Sequence, residues 1–591
     1  MWKKYGWVIF LFIFFGCEKP QPDLKSLMHN FPLAEIDTEL ARLNPELNFL
    51  RVRIGAQVRR ALAYIPGNDL KLAYPGGEKI KFYFGVIPFY FVKHPDPVHM
   101  QILALSSGNE QILWSDTISA QANPEWKMAE LILPPNSENL ILRSDVKDYG
   151  LALTPPRILR HAAVQKPSII FILIDALRAD HLGCYGYFRD TSPNIDALSR
   201  KGTIFMNVMT TSSFTVTSLS GMFTGLYPWE HRALFCENLV LGEEFPILAQ
   251  LLRSAGYQTA GFSATYFRLS DFQLDRGFEL FDEGCDAKFF MNDAECLTQK
   301  VIPWLKSDAE APFFLYLHYV STHSPYHPPD EYKKLFSQGI LKPKGAAGLG
   351  DIQPFGDNRQ WYQIPRAPKQ TELDWLISQY DGEIRYADTQ IGKLLAYLDE
   401  SGLLDNTLIL ITADHGEAFF EHRKMDHTED NHWQTAHIPL ILSGPGIPAG
   451  KRISSLVRSI DFAPFLLEYA QAGSIQGMSG KSLMPVLNGT ETEKRLGFSL
   501  MMHTRKKFQI GMVLYPYHFL LWRPADKKME LYDLSSDPNE KNNIADENQE
   551  LIKQLFTLLP DPDVILSGRR TAKKELSPET KERLKALHYT K

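Results

Sequence analysis

The chain has 591 residues, 44% of them hydrophobic and 22% charged, an ordinary globular composition with length for more than one domain and a large core. A net charge of -6 at pH 7 argues against nucleic acid as the main partner. The one basic run, from Arg569 to Lys574, reads as a solvated helix face.

The first segment is read as a targeting signal (residues 1–17). Lys3 and Lys4 precede an apolar run, residues 7–15, that is too short for a settled bilayer span and ends in Gly16-Cys17. It resembles a bacterial lipoprotein signal, in which Cys17 becomes the lipidated first residue, although Phe14 stands where such signals usually carry Leu. The alternative is an uncleaved membrane anchor. Either places the body in the cell envelope, outside the cytoplasm and tethered to a membrane. Of the remaining cysteines, Cys184, Cys236, Cys285 and Cys296, no pair has zinc-knuckle spacing. Cys285 and Cys296 are the favoured disulfide pair, though sequence alone leaves the connectivity open.

Residues 18–160 form a β-rich accessory region with a linker. Between about residues 48 and 153, short runs alternate apolar and polar, as in 79–86 and 100–105, and turn-rich breaks such as Pro75-Gly76-Gly77 separate them. Many short strands with such punctuation predict an antiparallel β-sandwich. Pro155-Pro156 reads as the linker.

From residue 161 to about 470 the pattern becomes strand, loop, helix, repeated. Predicted strands are 168–174, 258–262, 312–317, 407–411 and 438–442; predicted helices are 245–255 and 371–401. This predicts an α/β domain, a large sheet with helices on both faces. Residues 338–367, rich in Gly, Pro and Lys, read as an insertion loop. Residues 471–591 read as a small C-terminal subdomain of shorter strands, among them 517–522, with a basic helical tail.

Two predicted strands run into acids. Residues 168–174 lead to Asp175, and 407–411 lead through Thr412-Ala413 to Asp414-His415-Gly416. Open α/β sheets bind ligands beyond the carboxyl ends of their strands, and carboxylate with neutral imidazole suits a divalent metal.

Further motifs follow in order: residues 175–186, Ser192-Pro193-Asn194-Ile195-Asp196, Phe223-Thr224-Gly225-Leu226-Tyr227-Pro228, residues 274–279, Tyr386-Ala387-Asp388-Thr389-Gln390 and Glu530-Leu531-Tyr532-Asp533-Leu534. Collinear in this order, they resemble the sulfatase family of the alkaline phosphatase superfamily, from about Lys166 to the end. The resemblance implies a large mixed α/β sheet domain and a smaller C-terminal sheet. It also implies a nucleophile nine residues before Thr224, at Thr215. The family carries Cys or Ser there, then Pro and Arg; this chain has Thr215, Thr217 and Leu219. A threonine cannot become the formylglycine aldehyde, so no formylglycine is expected. Members with a Thr nucleophile act on phosphate esters or transfer phospho-alcohol groups. The same threonine could serve as a helix N-cap, which is compatible with either chemistry.

By the same resemblance, Asp175, Thr215, Asp414 and His415 are the expected metal ligands. Asp414-His415 in place of the family's Asp-Asn favours zinc or manganese over calcium. Asp180 is read as a structural carboxylate. His323 and His427 are expected to bind the ester anion or protonate the leaving oxygen. His422 and His437 are possible ligands of a second site, and the acid- and histidine-rich run 426–432 is either a second metal loop or a polar loop. The expected function is hydrolysis of sulfate or phosphate esters of a small molecule, glycan or lipid. Two rivals are kept: a phospho-alcohol transferase, and a degenerate glycan-binding relative without catalysis.

Overall fold

The computed structural model describes residues 50–54, 57–64, 70–73, 79–88, 98–118, 126–137, 139–144, 149–154 and 157–158 in the first part of the chain. Beyond these it describes residues 166–234, 240–285, 293–309, 312–340, 367–428, 430–504, 507–514, 518–561 and Ile565. The lipoprotein-type signal, Pro155-Pro156, the greater part of the 338–367 insertion and the basic tail lie outside these residues. Among the described residues no helix is long and apolar enough to cross a membrane.

Contacts divide the chain into two compact units. The first comprises Met1–Ile54 and Arg60–Arg160. It holds strands β1 (Leu50–Ile54), β2 (Gln57–Tyr64, of which residues 57–59 belong to the second unit), β3 (Leu70–Ala73), β4 (Lys79–Pro88), β5 (Val98–Ser106), β6 (Asn109–Ile118), β7 (Lys127–Ile132), β8 (Asn139–Ser144), β9 (Tyr149–Leu153) and β10 (Arg157–Ile158). One sheet runs β10-β4-β9-β2, with β7 also on β4 and β1 on β2; the other runs β3-β8-β5-β6. Strand pairs in register are antiparallel, and alternation along β5 buries Val98, Met100 and Ile102. Phe84 of one sheet meets Trp114 of the other edge to face, at 4.8 Å between centroids, as the sandwich reading expects.

The second unit comprises Gly55–Arg59 and His161–Lys591. Its strands are β11 (Ser168–Ile174), β12 (Thr203–Met209), β13 (Gln258–Ser263), β14 (Leu280–Asp282), β15 (Phe313–Tyr319), β16 (Thr407–Thr412), β17 (Leu440–Ser443) and β18 (Lys451–Arg458). They lie in the order β14-β13-β15-β11-β16-β17-β12-β18. Neighbours are parallel except β17, which is antiparallel to both β16 and β12; Gln57–Arg59 of β2 add antiparallel to β14. A mixed sheet follows from that single reversal.

The central strands β11, β15 and β16 are buried at every residue, which a parallel sheet covered on both faces requires. Helices α1 (Pro193–Arg200), α2 (Thr215–Thr224), α3 (Leu248–Ser254), α4 (Asp293–Ser307), α5 (Gln370–Glu400) and α6 (Phe462–Tyr469) provide the cover. One group, α2, α3 and α6, packs together, and the other, α1, α4 and α5, packs together. Phe171 of β11 meets Phe223 of α2, Phe462 of α6 and Tyr316 of β15 edge to face.

Strands β19 (Gly497–Thr504), β20 (Lys507–Leu514), β21 (His518–Arg523) and β22 (Lys528–Asp533) form the small C-terminal sheet, an antiparallel meander. The predicted 245–255 helix is shorter than expected, because Pro246 and Ile247 stay extended before the first turn. Cys285 and Cys296 form a disulfide, with Cα atoms 5.7 Å apart, and Cys184 is a buried free thiol.

Candidate active site

Parallel pairing builds the site. The register of β11 on β16 sets Leu173 against Thr412. Asp175 and Asp414 each lie two residues further on, so adjacent strands deliver both carboxylates at the same level. β15 on the other side of β11 sets His318 against Leu173. Past the strand end, Ala176 takes a positive φ of 54°, uncommon without glycine. That turn lets its N–H donate to Asp414 Oδ1 at 3.1 Å, while its carbonyl accepts from Tyr380. The unusual backbone thus links the two acids directly.

The other oxygens of these acids are left over. Asp175 Oδ1 and Asp414 Oδ2 are buried and have no hydrogen-bond partner. His415 Nε2 lies 3.3 Å from Asp414 Oδ2 and 3.8 Å from Asp175 Oδ1. Its Nδ1 is 2.9 Å from the Gly416 carbonyl, to which it donates, so Nε2 presents a lone pair. Burial lowers the His415 pKa, which favours the neutral ring that a metal ligand must be. Burial alone would raise the Asp175 pKa, but the His318 hydrogen bond and the charge of His323 outweigh it and keep the group ionised.

Thr215 completes the group from below. It is the first residue of α2, and its Oγ1 lies 3.5 Å from His415 Nε2. The N-cap position falls to Phe214, which has no side-chain cap, so the threonine hydroxyl is not used as the helix cap. Thr210 and Ser218 hydroxyls both donate to the Asp414 carbonyl, at 2.5 and 2.8 Å, and fasten the helix start to the strand end. Leu219, where the family carries Arg, is wholly buried in the main hydrophobic core and cannot meet an anion.

Asp175, His318 and Asp414 can also be grouped around one ion. The hydrogen bonding favours His415 over His318. Both nitrogens of His318 are already engaged, Nε2 with Asp175 Oδ2 at 3.2 Å and Nδ1 with the Tyr316 hydroxyl at 3.0 Å. The two partnerless oxygens are the ones near His415. His318 therefore orients Asp175. Sequence reading favoured His323 in this segment and gave His318 no role; its position at the end of a fully buried strand beside Asp175 was the available signal. The partnerless carboxylate oxygens and the unshared imidazole lone pair fit a divalent ion held by Asp175, Thr215, Asp414 and His415.

The expected substrate histidines lie beside this group. The His427 ring stacks on His415 at 4.1 Å between centroids, and His323 meets His427 at 5.0 Å. His323 Nδ1 is 2.7 Å from the Ser324 carbonyl. Asp180 pairs with the buried Arg178, which also reaches Glu421 and the Glu417 carbonyl, so Asp180 anchors an arginine. The two histidines considered for a second site lie elsewhere. His437 Nε2 is 2.9 Å from the Met206 carbonyl, and its ring stacks on Trp433. His422 stacks on His432 and faces Glu540 at 3.4 Å, lining a cavity of about 580 Å³ with Glu421 and Tyr532.

Comparison with known proteins points to one family. A sequence profile described as Sulfatase matches residues 167–472, and one described as N-sulphoglucosamine sulphohydrolase, C-terminal, matches residues 416–561. Arylsulfatase K of Xenopus laevis is 26% identical over 433 residues, covering 64% of this chain and 79% of that protein. A solved structure in complex with its substrate D-glucosamine-2-N,6-O-disulfate is 23% identical with a TM-score of 0.55, covering 68% of this chain and 98% of that one. Phosphonate monoester hydrolase of Agrobacterium radiobacter is 20% identical with a TM-score of 0.53, covering 66% and 94% respectively.

Proposed function

Since the chain belongs to the sulfatase family of the alkaline phosphatase superfamily, an enzyme family of sulfuric and phosphoric ester hydrolases, we propose that it is a metal-dependent esterase that uses Thr215 as its nucleophile. One observation carries this reading. Two partnerless buried carboxylate oxygens, of Asp175 and Asp414, stand with His415 Nε2, and Thr215 Oγ1 is 3.5 Å from that nitrogen. A bound divalent ion, zinc or manganese before calcium, would lower the hydroxyl's pKa and neutralise charge on the ester.

The chain's own residues supply the rest. The start of α2 places the Thr215 oxygen where the helix N-terminus favours both an alkoxide and an anionic ester. That oxygen displaces the substrate's alcohol, and His323 or His427 returns a proton to the departing oxygen. Water then cleaves the ester formed on Thr215. An enzyme that releases its intermediate this way suits phosphoryl better than sulfuryl groups, since a threonine cannot shed sulfate by elimination as a formylglycine hydrate does. Little turnover of a simple aryl sulfate is therefore expected, and more of a phosphate mono- or diester. The partnerless carboxylates also speak against a degenerate glycan binder, which has no need to keep them.

The substrate is proposed to be an anionic ester on a sugar or other small molecule, in keeping with the sulfated glucosamine bound by the solved relative. Thr215→Ala should retain its melting temperature and lose turnover by at least roughly 10³-fold. Acid-quenched wild-type enzyme should carry a phosphate on Thr215 by mass spectrometry. Full turnover by Thr215→Ala would end this mechanism. Transfer of a labelled head group to an alcohol acceptor instead of water would identify the phospho-alcohol transferase.

Cys17 is proposed to be the lipid tether to the bacterial cell envelope, on the strength of the Gly16-Cys17 junction. Cys17→Ala should leave the precursor without lipid label and shift the protein out of the membrane fraction. Unchanged labelling would exclude Cys17.

A further inference from the structure

The loop after His415 gathers another set of acid and imidazole side chains. Glu417, Asp426 and His427 each offer an atom within 4.8 Å of the others. We infer that they form a second divalent-cation site, with Glu417 Oε1, Asp426 Oδ1 and His427 Nδ1 as ligands and zinc or manganese as the fitting ions.

The two His427 separations are close to those of a coordination shell, and the third pair lies within 4.8 Å. His427 Nδ1 is 2.9 Å from Asp426 Oδ1 and 3.5 Å from Glu417 Oε1. Ligand atoms held at about 2.1 Å from one ion lie roughly 3.0 to 3.4 Å apart in octahedral or tetrahedral arrangement. Glu417 supplies the independent sign of a missing cation. It is 1% exposed, and the Tyr326 hydroxyl donates to its Oε2 at 3.0 Å. Its Oε1 is buried with no hydrogen-bond partner, and this is the oxygen that faces His427. Leaving a carboxylate oxygen so desolvated is costly unless a positive charge meets it.

Asp426 is aimed by its backbone. It takes a φ of 67°, uncommon for a non-glycine residue, and the N–H groups of His427 and Thr428 donate to its Oδ1. Mixed carboxylate and imidazole donors suit zinc or manganese better than calcium, which prefers oxygen alone. The site also agrees with the part proposed for His427. A ring bound through Nδ1 keeps its proton on Nε2 and remains a donor to the ester oxygen. To that extent the inference rests on the proposed function; the ligand set itself does not.

Metal content separates the two. Protein stripped by chelator, reloaded with Zn²⁺ and desalted should hold two ions per chain by elemental mass spectrometry. Glu417→Gln and Asp426→Asn should each hold one, and so should Asp414→Asn. Glutamine keeps the size of Glu417 and its acceptor for Tyr326, so the fold should survive. If these variants do not fold, Co²⁺ titration of the wild type, followed by visible absorption, should show two saturating phases. A single ion in the wild type, unchanged in Glu417→Gln, would overturn the second site and leave His427 as a neighbour of the two carboxylates. Two ions that Glu417→Gln reduces to one and Asp414→Asn does not reduce would sustain the second site and sink the first.

Discussion

At the scale of single residues, His318 shows how a side chain with no reacting role can govern a site. It binds Asp175 Oδ2 through Nε2 and the Tyr316 hydroxyl through Nδ1, and it is fully buried. Thr322 also donates to the Asp175 carbonyl, and the Asp175 N–H reaches the Tyr319 carbonyl at 2.8 Å. These bonds fix which carboxylate oxygen turns toward His415. Outer partners of this kind typically change metal affinity or activity by roughly 10- to 100-fold when removed. His318→Gln should therefore weaken metal retention and lower kcat/KM within that range, with a folded far-ultraviolet spectrum. Equilibrium dialysis against Zn²⁺ checks it; unchanged affinity would reduce His318 to a packing residue. Two of the residues at the family's nucleophile positions divide along the same line: Thr215 faces the site, while Leu219 is part of the core.

At the scale of elements, helix α1 is held at its start by a residue from elsewhere in the chain. Helix α1 begins at Pro193, and Ser192, the position before it, makes no side-chain cap. Asp388, wholly buried on α5, does the capping instead: it accepts from the Ile195 N–H at 2.8 Å and the Asn194 N–H at 3.1 Å, and from the Asn194 side chain at 2.8 Å. Two motifs far apart in sequence, Ser192-Pro193-Asn194-Ile195 and Tyr386-Ala387-Asp388, are thus two halves of one cap. Glycine 392 on the same helix allows the approach, since a Cβ there would meet Asn194 at 2.6 Å. Asp388→Ala strands buried donors and should cost about 1–3 kcal/mol. Denaturant unfolding measures it, and a loss below about 0.5 kcal/mol would show that water replaces the carboxylate.

At the scale of the second unit, the loop Asp430–Trp433 docks the C-terminal sheet. His432 Nδ1 meets Asp430 at 2.5 Å and Nε2 meets Glu530 of β22 at 3.0 Å; the Trp433 N–H donates to Glu540, and Asn431 to the Ser499 carbonyl of β19. Burial opposes the charge on His432, but Asp430 and Glu540 outweigh it and raise the pKa above its usual 6.5. The Asp430 pKa is held below its usual 3.8 by His432 and His422, again against burial. A raised histidine contributes stability that is complete below pH 6.5 and is lost as pH rises through its folded value. The lowered acid contributes above pH 3.8 and loses its share as pH falls through its own folded value. Docking is therefore firmest between those limits. From pH 6.5 to 9 the wild-type melting temperature should fall more steeply than that of His432→Gln, as calorimetry would show. Parallel curves for the two proteins would remove His432 from the docking.

The sequence alone determined the elements and the chemistry of their ends. Unbroken apolar runs marked β11 and β16 as buried strands, and the acids closing them were visible as Asp175 and Asp414. The collinear motifs identified the family, and counting back from Thr224-Gly225 reached Thr215. The alternating pattern before residue 153 marked the sandwich. Such signals are local, because burial and backbone periodicity act within a few residues. Only the tertiary structure decided which strands are neighbours. β11 lies between β15 and β16, and β17 reverses direction, because pairing depends on contacts across hundreds of residues. That order chose His318 to orient Asp175, made Asp388 the cap of α1, and sent Leu219 inward. It also separated His422 and His437 from the site and brought Glu417 to Asp426 and His427. Histidines and acids crowd this stretch of sequence alike; the backbone path decides which of them face one another, and so which can share an ion.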